Sequence, residues 1–139
     1  MKTDLELIND KDSQVRYQVA KRIDPKHLPK MMNDKGCYVR SEVARRIAVE
    51  HLPKKMNDKD WYVRREVAKR IGSEGGAFAN EHLPKMMNDE NYYIRYEVAK
   101  RIDPKFLGEM FGFDFDPKYQ MGLIKVLAER DDLCANRTK

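Results

Sequence analysis

One fifteen-residue phrase recurs four times in this chain and constrains the possible folds more than any other feature. Its fullest form is Asn57-Asp58-Lys59-Asp60-Trp61-Tyr62-Val63-Arg64-Arg65-Glu66-Val67-Ala68-Lys69-Arg70-Ile71. The other copies run from Asn9 to Ile23, from Asn33 to Ile47 and from Asn88 to Ile102. Counted from Asp4, the units are 4–27, 28–51, 52–82 and 83–106; the third has 31 residues and the others 24. A degenerate fifth unit follows over 107–131, then a tail over 132–139. Self-similarity at such a period marks a stack of repeats. No unit buries its apolar face alone, and neighbours supply the core.

Within each unit the apolar residues have helical spacing. Val63, Val67 and Ile71 stand at i, i+4 and i+8 with Ala68 beside them. The same set is Val15, Val19, Ala20 and Ile23 in the first unit, Val39, Val43, Ala44 and Ile47 in the second, and Ile94, Val98, Ala99 and Ile102 in the fourth. This is a one-sided stripe on a helix of about three turns. Its β-branched residues are mediocre helix formers, so the helix depends on its neighbours. Asp12, Asp60 and Asn91 stand where an N-cap is needed, with Gly36 in the second unit. Asp24-Pro25 and Asp103-Pro104 stop the helix. The following Leu-Pro-Lys turns, at 28–30, 52–54 and 83–85, leave room for one or two turns of 3-10 or α-helix with the proline near their start.

Composition agrees with an ordered soluble repeat. Charged residues make up 37% and the mean hydropathy is −0.82, values that alone would suit disorder; the fixed apolar spacing argues against it. The net charge is +5, and the positive field is expected to be modest and spread along the repeats. Cys37 and Cys134 lie far apart, which fits a reducing compartment better than a disulfide framework. No apolar run is long enough for a membrane span or a signal peptide, so a cytoplasmic location is expected.

The Asn-Asp-Lys-Asp-Trp-Tyr-Val-Arg-Arg-Glu-Val-Ala-Lys-Arg-Ile phrase, with Asp-Pro-x-x-Leu-Pro at the 24-residue period, resembles the leucine-rich repeat variant family over residues 4 to about 106. The resemblance implies an all-α, right-handed α-solenoid of alternating α- and 3-10 helices, here about four repeats closed by a C-terminal capping helix. Short HEAT-like repeats share the Asp, Val-Arg and Val-Ala core but have longer units with two full helices. A founding type of the variant family carries an iron–sulfur cluster on a cysteine group before its repeats. This sequence has two cysteines and the usual cluster needs four thiolates, so the fold carries over and the cofactor does not.

Several residue sets could carry function. Arg16, Arg40, Arg64 and Arg95 share one repeat position, as do Asp10, Asp34, Asp58 and Asp89. They form either a line of guanidinium groups for phosphate or a structural ladder tying unit to unit; recurrence of Asp with Arg, never Lys, favours the ladder. A second basic set is Lys21-Arg22, Arg45-Arg46, Lys69-Arg70 and Lys100-Arg101. Glu42–Arg46, Glu66–Arg70 and Glu97–Arg101 have the favoured i, i+4 order, which leaves Lys21, Arg45, Lys69 and Lys100 as the free members, with Lys30, Lys54 and Lys85 alongside. The aromatics Tyr38, Trp61, Tyr62, Tyr92 and Tyr93 begin the long helices and are either a binding surface or wedges between units. His27, His51 and His82 share one position, but stacked units separate equivalent side chains by roughly 8–10 Å, too far to share a metal. The segment Gly72–Asn80 reads as a flexible loop, with Phe78 as a plug or a partner contact. The stretch Met110–Pro117 reads as turn-like, and a closing helix from Pro117 or Lys118 would point Met121, Ile124, Leu127 and Ala128 inward. No nucleophile, phosphate loop or paired catalytic carboxylate stands out, so no catalytic residue, metal or cofactor is expected. The reading is a non-enzymatic binding module for a protein or peptide, with nucleic-acid binding through the Arg and Lys rows as the alternative. Oligomeric state has no signature in the sequence.

Overall fold

The computed structural model describes residues 1–113 and 117–134. Among them the secondary structure is helical, without strands. The α-helices are α1 (Asp4–Leu7), α2 (Ser13–Arg22), α3 (Cys37–Arg46), α4 (Trp61–Glu74), α5 (Gly76–His82), α6 (Tyr92–Ala99), α7 (Leu107–Phe113), α8 (Pro117–Glu129) and α9 (Asp131–Cys134). Between them run 3-10 helices at Pro25–Met31, Val49–Lys55, Leu83–Met86 and Pro104–Phe106. The chain is an all-α helical repeat protein. It divides into two compact units, 1–70 and 71–139.

The long helices start where the sequence places their caps. Asp12 accepts a hydrogen bond from Gln14 N at 2.8 Å, Asp60 from Tyr62 N at 2.9 Å and Asn91 from Tyr93 N at 2.8 Å. Gly36 caps α3 without a side chain. The Asp-Pro pairs have a double role. They end one helix and open the next 3-10 helix, since Asp24 accepts from Lys26 N and Asp103 from Lys105 N, both at 3.0 Å. Of the Leu-Pro prolines, Pro29 and Pro53 lie inside their 3-10 helices, whereas Pro84 stands at the start of its own, as the sequence suggests.

In the first unit α2 packs on α3, and α1 on α2. Val19, Ala20, Leu28, Val39, Val43, Leu52, Val63 and Val67 are buried there. In the second unit α6 packs against both α7 and α8. Ile94, Val98, Ile102, Leu107 and Met110 form its core together with Leu123 and Val126 of α8.

Three expectations need correction. The segment 72–80 is not a loop: α4 continues through Glu74, and α5 begins at Gly76. Only Gly75 and Gly76 break the helical path, with φ of +68° and +57°. Such values favour glycine, and Ala77, Ala79 and Glu74 are good helix formers on either side. Phe78 turns onto its own helix, its ring 4.6 Å from that of His82. The second correction is at Met110–Pro117, where α7 occupies residues through Phe113. In the third, α8 turns Leu123 and Val126 inward and leaves Ile124 49% exposed and Ala128 exposed. Residues 114–116 and 135–139, the last five of the expected tail, lie outside the described residues, as does the side chain of Met121.

Gly75 has φ +68° and ψ −167°, a region that only glycine enters cheaply, and no atom lies within 4 Å of where a Cβ would stand. Gly75→Ala therefore tests strain without a clash. It is expected to cost about 1–3 kcal/mol in urea unfolding followed by circular dichroism. A loss within about 0.3 kcal/mol would mean that the α4–α5 break does not depend on this conformation.

Candidate functional site

The Asn-Asp loops are held by a network that leads from one unit to the next. The Asp34 carboxylate accepts Gly36 N at 2.8 Å through Oδ1, which shapes the turn into α3. It also accepts both Arg16 Nε, at 2.8 Å, and Arg16 Nη2, at 3.1 Å. Asp58 repeats this with Asp60 N at 2.9 Å and with Arg40 at 2.9 and 3.1 Å. The remaining Nη1 of each arginine reaches back to its own unit's loop. Arg16 donates to Asp10 O at 2.8 Å and Arg40 to Asp34 O at 2.8 Å, while Arg64 donates to Asp58 O at 2.8 Å and Arg95 to Asp89 O at 2.7 Å. Asp10 and Asp89 shape their turns through Asp12 N and Asn91 N, each at 2.8 Å. The four guanidinium side chains are buried, 4–6% exposed. Each grips its own loop by the main chain; Arg16 and Arg40 also grip the next loop by its carboxylate.

The electrostatics follow from that geometry. Burial pushes the Asp58 carboxyl up, but the hydrogen bonds from Arg40 and Asp60 N and the charges of Arg40 and Lys55 outweigh it, so its pKa lies below the ordinary carboxylate value. The pKa of Arg16 is raised, chiefly by its hydrogen bond to Asp34. Burial works to lower that of Arg40, and Asp58 more than offsets it. Burial also lowers the pKa of Lys55, whose Nζ donates to Asn33 Oδ1 at 2.7 Å.

The second basic set is arranged in the reverse of the expected order. Arg46 does not pair with Glu42; its Nη1 and Nη2 donate to Ala20 O at 2.5 Å and Ile23 O at 2.8 Å, the carbonyls ending the preceding long helix. Arg70 caps Ala44 O and Ile47 O, both at 2.8 Å. Arg130 does the same for Ala99 O and Ile102 O, at 3.0 and 2.7 Å. Arg22 turns to Asp4 of α1, at 2.8 Å. The arginines thus satisfy the carbonyls that a helix end leaves open. A signal was present: the second member of every basic pair is Arg, while the first varies between Lys and Arg.

The glutamates pair instead with the first members. Arg45 contacts Glu42 at 3.5 Å and Glu66 at 3.3 Å, Lys69 contacts Glu66 at 3.9 Å and Lys100 contacts Glu97 at 3.3 Å. The three glutamates are buried. The pKa of Arg45 is raised, most of all by its hydrogen bond to Glu66. Lys21 differs, because its unit has Gln18 at the Glu position; among the described residues its neighbour is the Tyr17 ring, 5.6 Å from Nζ. Lys100 likewise lies over Tyr96, at 4.6 Å.

Beside this charged row stand the aromatics. In the first unit Tyr38 is 67% exposed and Trp61 37%. Tyr38 and Tyr62 meet edge to face with centroids 6.1 Å apart, and Trp61 and Tyr62 at 5.6 Å. A cleft of about 300 Å³ lies next to them, lined by Ser13, Gln14, Tyr17, Gly36, Tyr38 and Val39. In the second unit Tyr92 contacts Tyr93 at 5.6 Å and Tyr96 at 6.0 Å, and Tyr93 is exposed. Among the described residues no group of three or more His, Cys, Asp or Glu is placed to hold a metal. His27 and His51 are half-buried, and His82 is buried against Phe78.

Stacked long α-helices joined by 3-10 segments and tied by loop arginines define a helical repeat protein of the alternating α/3-10 kind. The chain is similar to a solved structure described as a leucine-rich repeat variant with a novel repetitive protein structural motif, with a TM-score of 0.73 and 27% sequence identity. That match covers 88% of this chain and 48% of the other, so the chain spans about half the length of the protein it resembles. It bears out the resemblance carried by the Asp, Val-Arg and Val-Ala positions. From α2 to α3 and from α3 to α4 the connecting elements are 3-10 helices where a HEAT-like unit would have a second full α-helix; from α4 to α6, α5 precedes the 3-10 helix. No family model matches the sequence, and no curated protein does.

Removing one partner of a buried ion pair strands the other, at a cost of roughly 3–5 kcal/mol. Asp58→Asn is expected to lose stability in that range at pH 7 in urea titrations. The pH dependence has a definite sign. The carboxyl of Asp58 is depressed in the folded state, so its contribution is complete above the unfolded value, about 3.9. It is lost as pH falls through the folded value. The gap between wild type and Asp58→Asn should therefore narrow as pH falls below about 4 toward about 2. A gap constant over that range would refute the assignment.

Proposed function

We propose that this chain is a non-catalytic binding module that takes a protein segment on the exposed face of its long helices. The supporting observation is the aromatic cluster of the first unit. Tyr38 and Trp61 are exposed, and each meets Tyr62 edge to face. Rings held in this way offer large contact area at low entropic cost. The adjoining cleft can take an apolar side chain of a partner, and Lys21, which has no carboxylate partner among the described residues, lies over Tyr17 of its lining and can meet an acidic group. Tyr92, Tyr93 and Lys100 offer an analogous surface in the second unit.

The alternative is phosphate binding by the same rows. Against it stand the carboxylates engaging Arg45, Lys69 and Lys100 and the carbonyl and carboxylate partners of Arg16 and Arg40. A phosphate arriving there would compete with buried acids, so the helix face suits a peptide better. Among the described residues no helix is long and apolar enough to cross a membrane.

Trp61 is the only tryptophan in the chain, which gives a direct probe. Peptides selected from a display library against the full chain should change Trp61 emission on binding. Tyr38→Ala should weaken them at least tenfold, in line with loss of a central aromatic anchor. Selected peptides that bind equally well to a Tyr38→Ala/Trp61→Ala chain would place the contact elsewhere and defeat this assignment.

A further inference from the structure

The charge of the chain is not spread along the repeats as the sequence pattern suggests. Residues 1–70 carry 18 basic and 11 acidic side chains, a net +7, whereas 71–139 carry 10 and 12, a net −2. The change coincides with the boundary between the compact units. In the first unit much of the excess lies on the loop edge, away from the helix-face charges already described. Lys11, Lys35 and Lys59 follow the three Asn-Asp pairs, and Lys30 and Lys54 follow Leu-Pro. All five are exposed, and none makes an ion pair among the described residues.

The nearby acids neutralise them only in part. Asp34 and Asp58 are bound by Arg16 and Arg40, Asp12 and Asp60 cap helices, and Asp10, which accepts Asp12 N, offsets one charge of the first loop. Two hollows result, one repeat apart. The first, about 340 Å³, has Lys11, Lys30 and Lys35 on its walls, with Asp10 and the Arg16–Asp34 pair among its lining, a net charge of +2. The second, about 360 Å³, has Lys35, Lys54, Lys55 and Lys59, with the Arg40–Asp58 pair. Lys35 belongs to both, so the hollows form a continuous track. The paired Arg and Asp are neutral together and Asp10 cancels one lysine of the first hollow, which leaves the remaining lysines to set a positive field. In the second unit Glu90 replaces the loop lysine.

We propose that this track binds the sugar–phosphate backbone of a nucleic acid. Its charges recur with the repeat, as a polyanion of uniform charge requires. Lysine ammonium groups serve as point charges for phosphate. The hollows are lined almost wholly by polar and charged side chains, including Asn33 in both, and offer no apolar anchor of the kind an acidic protein partner would use. The interaction reads backbone, not sequence. It is independent of the aromatic helix face.

The test is fluorescence anisotropy of the full chain with labelled 20-nucleotide single-stranded DNA and RNA. About five lysines releasing counterions at roughly 0.7 each predict a loss of about a hundredfold in affinity between 50 and 200 mM salt. Lys11→Glu/Lys35→Glu/Lys59→Glu should weaken binding at 50 mM salt at least tenfold. Lys85→Glu/Lys105→Glu/Lys125→Glu changes the net charge equally in the second unit and should leave affinity within about threefold. Among the described residues these lysines make no ion pair, so melting curves of both variants should match wild type. Absence of binding at 50 mM salt would overturn the proposal. So would equal losses in the two variants, or tighter binding to poly-glutamate than to nucleic acid with the same dependence on Lys11, Lys35 and Lys59.

Discussion

The buried arginine of the Val-Arg position is the interaction on which the rest depends. A guanidinium cannot be left in a packed interior without partners, because the cost of desolvating an unpaired charge is several kcal/mol. Arg16 and Arg40 meet that demand with a two-point bond to the carboxylate of the next loop and a main-chain bond to their own. The loop then has little freedom. The same carboxylate accepts the N–H two residues on, and the residue carrying that N–H caps the helix in three of the four copies. The helix start is thereby fixed, and with it the register of the Val, Val-Ala, Ile stripe that fills the core. One side chain thus sets loop shape, helix phase and repeat spacing. The pair selects this geometry; apolar burial along the stripe supplies the main favourable term.

The other end of each long helix has a comparable device. Its open carbonyls receive the second arginine of the following unit's basic pair, so that Arg46 and Arg70 each close the helix before their own. Both ends of a repeat are therefore finished by a neighbour, which is why a single unit of this sequence would have unsatisfied polar groups as well as an exposed core. These commitments also decide what is left for function. Arginines at two repeat positions serve the fold, and the buried glutamates occupy most of the basic row on the helix face. The side chains that remain available are aromatic rings on that face and lysines on the loop edge.

The sequence by itself determined the period, the long repeated helices, their caps and most of the core. These are legible because they are local: an aspartate two residues before an N–H, or apolar residues four apart, act within one helix turn. It also made the Asp and Arg positions recognisable as companions. What only the tertiary structure decided is who meets whom. Glu42 and Glu66 stand in good i, i+4 order to Arg46 and Arg70, yet those arginines reach back a whole repeat and leave the glutamates to Arg45 and Lys69. A buried carbonyl one unit away outweighs a few tenths of a kcal/mol on a helix surface. The same reason explains 72–80, where glycines suggest a loop but helical propensity on both sides leaves only a break at Gly75. It explains α8 too, where packing against α6 selected Leu123 and Val126 over the adjacent Ile124. Side-chain partners belong to the placement of neighbouring repeats, and that placement is not written in any one of them.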